Sequence, residues 1–110
     1  QKQRMMEASR RRMMQSVPQA DVVITNPTHI AVGVKYDPQE NSAPVIVAKG
    51  QDYVAQKIKE IARENGISIV ENKPLARALN LYDVGEAIPP ELYEPVAQIL
   101  ATLDKFRQAS

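Results

Sequence analysis

The sequence predicts an α/β fold, with a small four-stranded, at least partly parallel sheet flanked by helices and preceded by a basic helical linker. Runs of β-branched residues alternate with segments whose apolar residues recur at helical spacing, a pattern typical of α/β proteins. The chain has 110 residues, of which 44% are hydrophobic and 25% are charged. This length and composition fit one domain with one hydrophobic core and exclude two independent domains.

The counts of cysteine and histidine exclude several classes of active site. The sequence contains no cysteine and one histidine, so it can form no disulfide, thiolate nucleophile or Cys/His metal cluster. We therefore expect neither a metal site nor a cofactor. No apolar run approaches the ~20 residues that cross a bilayer. Any link to a membrane is expected to come from sequence outside these residues.

Residues 1–18 are predicted to form a basic linker helix. Residues 1–14 hold five basic residues and one acidic residue, a net charge of +4, whereas the remaining residues carry −3. Such a helix fits a solvated surface, the cytoplasmic flank of a membrane protein or an RNA-binding arm. The arm contains no aromatic residue that could stack on bases, which disfavours nucleic acid. Pro18 ends the helix, and residues 19–110 are predicted to form the domain.

The first half of the domain contains three predicted strands. The run from Asp21 to Thr25 is rich in β-branched residues and is typical of a buried strand. Asn26-Pro27-Thr28-His29 favours a turn, because proline suits its first central position. Gly50 is expected to end the third strand. We predict strands at 21–25, 30–36 and 45–49, a turn at 26–29 and a loop at 37–44.

The second half contains three predicted helices and a short strand. Val54, Ile58, Ile61 and Ala62 share one face of a helix, and Gly66 suits a left-handed residue that stops it. Pro95 lies within the apolar pattern of the last helix, which must start nearby or kink there. We predict helices at 52–65, 74–81 and 92–103 and a strand at 67–70.

The Asn26-Pro27 bond is the candidate reactive site. An asparagine side chain usually cyclises by attack of the next backbone nitrogen, but Pro27 has no N–H, which closes that route. The remaining route is attack of the Asn26 side-chain nitrogen on the Asn26 carbonyl carbon, which expels the Pro27 nitrogen and cuts the chain. A turn that holds this geometry would accelerate an otherwise very slow reaction.

The two residues after the Asn-Pro bond are candidate supports. Thr28 and His29 are the nearest side chains that could donate to the carbonyl oxygen or accept the amide proton. Histidine is a common general base near neutral pH. Asn-Pro and Thr-His are also common in ordinary turns and strand starts. The residues alone therefore leave self-cleavage and an inert turn both open.

Asn26-Pro27-Thr28-His29 after Ala20-Asp21-Val22-Val23-Ile24-Thr25 resembles the signature of the FlhB/YscU family of type III export proteins. The resemblance spans essentially the whole chain. Two blocks, Val47-Ala48-Lys49-Gly50 and Asn72-Lys73-Pro74-Leu75-Ala76-Arg77-Ala78-Leu79, are similar to the flagellar branch. Further matching positions are Ser42-Ala43-Pro44, Glu71, Gly85 and Leu92-Tyr93.

The resemblance implies an inner-membrane protein whose domain of this kind lies on the cytoplasmic side, joined to its own N-terminal membrane domain by the basic linker. It implies self-cleavage at Asn26-Pro27 into pieces of 26 and 84 residues that stay together. Asn26 would be the nucleophile, with Thr28 and His29 as supports. The reaction is a single intramolecular turnover, so the protein is not a turnover enzyme.

The resemblance also implies a function and partners. The domain would switch export from rod and hook proteins to filament proteins, and would contact other export-gate proteins, the hook-length ruler and early export substrates. Nucleic acid is not an expected partner. A substrate-docking patch is predicted at Ala43, Pro44, Ala97 and Leu100, although these residues also fit a core. The alternatives are a non-cleaving export-gate interaction domain and a basic-arm RNA-binding α/β module.

Overall fold

A mixed four-stranded sheet with helices on both faces forms the centre of the computed structural model. The structure describes residues 2–40 and 43–107. Asn41 and Ser42 of the predicted loop, and Gln1 of the predicted linker, lie outside the described residues. In chain order the elements are α1 (Lys2–Ser16), β1 (Val22–Asn26), β2 (Ile30–Lys35), β3 (Val45–Gln51), α2 (Tyr53–Glu64), β4 (Ser68–Glu71), α3 (Lys73–Leu79), α4 (Tyr93–Leu100) and α5 (Asp104–Arg107), with short 3₁₀ turns at Val17–Gln19 and Pro90–Leu92.

The strands lie in the order β3-β2-β1-β4. β1 pairs with β2 and β2 pairs with β3 in antiparallel fashion, whereas β1 and β4 are parallel. Helix α2 connects β3 at one edge of the sheet to β4 at the other, as a parallel pair requires a crossover. The predicted four-stranded, partly parallel sheet is confirmed. β1 lies inside the sheet, paired on both sides.

Alternate residues of β1 point to two hydrophobic clusters on opposite faces of the sheet. Val22 and Ile24 pack in the cluster that includes α3 and α4, whereas Val23 packs in the cluster that includes α2. All three side chains are fully buried. The continuous apolar run of β1 is therefore explained by helices on both faces.

The prediction of one closing helix at 92–103 is wrong in its length. α4 ends at Leu100, and the chain turns before the separate helix α5. Thr102 donates to the Ile99 carbonyl oxygen through both its backbone N–H, at 3.0 Å, and its hydroxyl, at 2.6 Å. These bonds tighten the last turn and end the helix. α4 begins at Tyr93, so Pro95 is its third residue, where no N–H partner within the helix is lost.

Two other helix predictions need correction. α3 ends at Leu79 rather than Leu81. The backbone N–H groups of Leu81 and Tyr82 donate to carbonyl oxygens three residues earlier, at 3.3 and 3.1 Å, and such bonds tighten the last turn of a helix. The buried residues of α2 are Ala55, Ile58, Lys59 and Ala62. Val54 and Ile61 are half-buried and line a cavity beside α1. The buried stripe of α2 is thus rotated from the predicted one and includes a lysine.

Smaller differences concern the strand ends. β1 and β4 lie one residue later than predicted, β2 ends one residue earlier, and β3 continues through Gly50 to Gln51. Gly66 has a φ of 68°, in agreement with its predicted left-handed conformation after α2. Within the described part of the chain, no helix is long and apolar enough to cross a membrane.

Candidate functional site

The turn between β1 and β2 holds the Asn26-Pro27 bond. Asn26 pairs with Ile30 across the antiparallel ladder, so Pro27, Thr28 and His29 form the whole connection. The His29 backbone N–H donates to the Asn26 carbonyl oxygen at 2.8 Å. This carbonyl carbon is the atom that self-cleavage would attack. The donor to this carbonyl oxygen is therefore a backbone group of the turn, whereas the sequence predicted the side chain of Thr28 or His29.

The turn lies at the end of the sheet where β1, β3 and β4 finish. The backbone N–H of Asp52, just before α2, donates to the His29 carbonyl oxygen at 3.0 Å. The backbone N–H of Asn72, just before α3, donates to the Thr25 carbonyl oxygen at 2.9 Å. Ligand and reaction sites of α/β proteins commonly lie at this end of the strands. Two helix starts thus fix the backbone on either side of the candidate bond.

Lys59 reaches this turn from α2. Its Nζ donates to the Pro27 carbonyl oxygen at 2.6 Å, although the two residues are far apart in sequence. Lys59 is only 9% exposed. Its hydrocarbon stem is covered while its ammonium group finds a carbonyl partner, which is how a long cationic side chain is accommodated against a core. The Pro27 carbonyl is thereby held by a buried side chain.

The side chains of Thr28 and His29 are exposed. His29 Nδ1 lies 3.8 Å from Asp52 Oδ1, and both side chains are more than two-thirds exposed. A contact between two side chains this exposed contributes little to stability. The structure places both predicted supports in the turn, but the contact that acts on the Asn26 carbonyl comes from the His29 backbone.

Asp52 is held in a backbone conformation that favours glycine. Its φ is 51° and its ψ is −112°. A non-glycine residue with positive φ carries conformational strain, and such residues cluster at functional sites. The hydrogen bond from its N–H to the His29 carbonyl oxygen ties this strained residue to the turn. Asp52 is therefore part of the frame around the candidate bond.

The predicted docking patch is only partly assembled. Pro44, Ala97 and Leu100 line a groove of about 330 Å³, together with Tyr36, Tyr93, Ala101 and Phe106. Ala97 is exposed, whereas Leu100 is 5% exposed. Ala43 is also 5% exposed and does not line the groove. Three of the four residues thus meet at one apolar surface.

Sequence reasoning missed Lys59 and Asp52. Lys59 falls on the same helical face as Ala55 and Ala62, which was a signal that this lysine would be buried. The positive φ of Asp52 has no signal in the sequence, because aspartate is common in ordinary turns. Among the described residues, no group of three His, Asp or Glu side chains could share a metal ion.

Comparison with known proteins identifies the family of this chain. A family model described as the FlhB HrpN YscU SpaS family matches residues 1–103. The chain belongs to the FlhB/HrpN/YscU/SpaS family. The flagellar biosynthetic protein FlhB of Bacillus subtilis is 52% identical over 108 residues, which cover 97% of this chain and 30% of that protein. The chain therefore spans less than a third of that FlhB.

Solved structures of the FlhB/YscU family share the fold. The cytoplasmic domain of FlhB from Shewanella putrefaciens is 48% identical, with a TM-score of 0.83 over 91% of this chain and 78% of that chain. A mutated C-terminal domain of EscU is 31% identical, with a TM-score of 0.77 over 80% of this chain and 89% of that one. The predicted family and fold are confirmed.

Proposed function

We propose that this domain of a type III export protein cuts its own chain between Asn26 and Pro27. The observation that carries the proposal is the 2.8 Å hydrogen bond from the His29 N–H to the Asn26 carbonyl oxygen. A donor on this oxygen polarises the carbonyl and stabilises the negative charge that develops on it during attack. It is a backbone group fixed by the turn, so it needs no reorganisation as the reaction proceeds.

The reaction rearranges bonds within the chain and needs no oxidant, metal or cofactor. The Asn26 side-chain nitrogen forms a bond to the Asn26 carbonyl carbon and gives up a proton. The bond from this carbon to the Pro27 nitrogen breaks, and the Pro27 nitrogen gains a proton. The products are a C-terminal succinimide at Asn26, which water then opens, and a new N-terminus at Pro27. The fixed turn supports the reaction by holding the attacked carbonyl in one orientation.

The first test is the intact mass of freshly purified protein under denaturing conditions, beside an Asn26→Ala variant. We expect two masses that meet at Asn26-Pro27 in the parent and one full-length mass in the variant. Alanine has no side-chain amide and cannot cyclise, so the variant separates self-cleavage from a contaminating protease. A single full-length mass in both proteins, after long incubation at neutral and mildly alkaline pH, would contradict the proposal.

We further propose that the cut serves a switch in export specificity from rod and hook proteins to filament proteins. Membership of the FlhB/HrpN/YscU/SpaS family supports this role. Partners on this proposal are other export-gate proteins, the hook-length ruler, early export substrates and an N-terminal membrane domain of the same protein. The domain would lie on the cytoplasmic side of the inner membrane. The related Shewanella putrefaciens structure, which is that of a cytoplasmic domain of FlhB, supports the cytoplasmic part of this proposal.

The groove at Pro44, Ala97 and Leu100 is the proposed docking site for early substrates. Its apolar lining suits an apolar segment of a partner, and the aromatic rings of Tyr36 and Phe106 extend the surface. The centroids of these two rings are 6.0 Å apart. Ala43 is buried and does not line the groove, so it is not part of the proposed docking site.

A further inference from the structure

Lys59 is a buried cation without a carboxylate partner among the described residues. The ion pairs found there join His29 to Asp52, Lys57 to Glu60 and Lys105 to Asp21, and none of them involves Lys59. Its hydrogen bond goes to the Pro27 carbonyl oxygen. Removing an ammonium group from water is unfavourable unless strong partners compensate. An apolar residue at this position would fill the same space without that cost.

We infer that Lys59 is a positioning residue for cleavage of the Asn26-Pro27 bond, acting by holding the Pro27 carbonyl group. This inference rests on the proposed self-cleavage. Lys59 touches the residue whose nitrogen leaves, and it does so from a helix that also packs against the sheet. Lys59 thus connects helix α2 to Pro27, the residue that carries the leaving nitrogen.

Three hydrogen bonds hold three carbonyl groups of the turn. The Asn26 carbonyl accepts from the His29 N–H, the His29 carbonyl accepts from the Asp52 N–H, and the Pro27 carbonyl accepts from Lys59 Nζ. The first two come from backbone N–H groups, which every substitution except proline keeps. The third comes from a side chain. Of these three hydrogen bonds, the one from Lys59 is therefore the one that a side-chain substitution removes without changing the backbone.

The charge of Lys59 adds to its positioning effect. Negative charge develops on the Asn26 carbonyl oxygen as the nitrogen attacks, and the ammonium group of Lys59 is bound to the next carbonyl along the turn. A cation at this place in a poorly hydrated site favours that charge. The proton lost by the Asn26 amide balances the one gained by the Pro27 nitrogen, so the overall reaction requires no net proton from Lys59. We therefore assign Lys59 a positioning role and not that of an acid or a base.

The test follows cleavage of the 110-residue chain during cell-free synthesis, with a labelled pulse and a chase. We compare the parent with Lys59→Met, Lys59→Arg and Lys57→Met. Loss of a hydrogen bond to a charged group predicts cleavage roughly ten- to a hundredfold slower in Lys59→Met. Lys59→Arg keeps a cationic donor and should recover part of the rate. Lys57→Met on the same helix removes a lysine whose side chain is 44% exposed, and this variant should cleave as the parent does.

A stability measurement separates positioning from folding. The same Lys59 substitutions are made in the Asn26→Ala background, and their urea unfolding is measured on uncut protein. Slow cleavage in a variant that is fully folded at the assay temperature supports the inference. If Lys59→Met does not fold, Lys59→Gln takes its place, since glutamine keeps a neutral donor, and it is expected to cleave more slowly than Lys59→Arg.

The outcomes distinguish this inference from the proposed function. An uncut parent chain would overturn both. A parent that cuts itself at the same rate as folded Lys59→Met, or as folded Lys59→Gln where that variant is used, would overturn the role of Lys59 alone. Equal slowing by Lys57→Met would also overturn it, because a general loss of positive charge on α2 would then explain the result.

Discussion

Gly50 in β3 lies directly against Val54 in α2. A Cβ atom added at Gly50 would lie 2.7 Å from the Cβ atom of Val54, which is closer than such atoms approach in proteins. A Cβ atom cannot rotate away, so the backbone must shift. We expect Gly50→Ala to lower the free energy of unfolding by about 1–3 kcal/mol, measured by urea denaturation in the Asn26→Ala background.

Gly33→Ala is the matched control for this prediction. A Cβ atom at Gly33 would meet Ala20, Val47 and Ala48 at 3.4–3.7 Å, which are ordinary contact distances. The effect of Gly33→Ala should therefore be much smaller. Equal destabilisation by the two substitutions would show that the close approach of Gly50 to Val54 is not what makes glycine necessary.

At the residue scale, the candidate bond could be proposed from the sequence, whereas the contacts that surround it could not. The chemistry of Asn26-Pro27 is local, because it depends on an amide side chain followed by a residue without an N–H. The contact of Lys59 with Pro27 joins residues 32 positions apart. Only the packing of α2 against the sheet brings them together, so no local pattern contains this information.

Strand β1 is the element on which the proposed cut acts. It pairs with β2 on one side and with β4 on the other, and the side chains of Val22, Val23 and Ile24 are fully buried. One broken peptide bond at its end leaves these contacts intact. We expect the pieces of 26 and 84 residues to elute together from a size-exclusion column in native buffer and to separate in urea.

The uncut Asn26→Ala variant controls for elution position. It should elute with the cut parent in native buffer and as one chain in urea. A free 84-residue piece in native buffer would contradict the prediction, since it would mean that the pairing and burial of β1 depend on the covalent bond.

At the element scale, periodicity placed the strands and helices but not all of their ends. The end of α2 was predictable because Gly66 adopts positive φ, which glycine tolerates best. The end of α4 depends on the hydrogen bonds of Thr102 to Ile99. The apolar pattern continues past this point to Leu103, so periodicity alone extended the helix too far.

At the scale of the whole molecule, the turn at 26–29 and the apolar groove have no residue in common. We expect Ala97→Lys to weaken binding of a rod protein to the groove at least tenfold, because the ammonium group would have to be desolvated on an apolar contact. Isothermal titration calorimetry measures this affinity. Stability should change little, because Ala97 is exposed on α4.

Gln98→Lys provides the comparison for the groove. Gln98 is exposed on the same helix and does not line the groove. It should bind the rod protein as the parent does. Equal affinities for Ala97→Lys and the parent would exclude the groove as the docking site, and equal loss in both variants would point to an unspecific effect of charge.

The position of β1 inside the sheet has a mechanical consequence. Tension applied through α1 would run along β1 and load its hydrogen bonds to β2 and β4 in shear, so that many must break together. In an uncut chain the peptide bond at Asn26 shares this load. In a cut chain, only the pairing of β1 with β2 and β4 carries the load. How long this pairing lasts under force depends on the rate of unfolding and not on the equilibrium stability. The proposed cut would thus replace a covalent connection between the two pieces by a non-covalent one, which lasts without load and dissociates under sustained force.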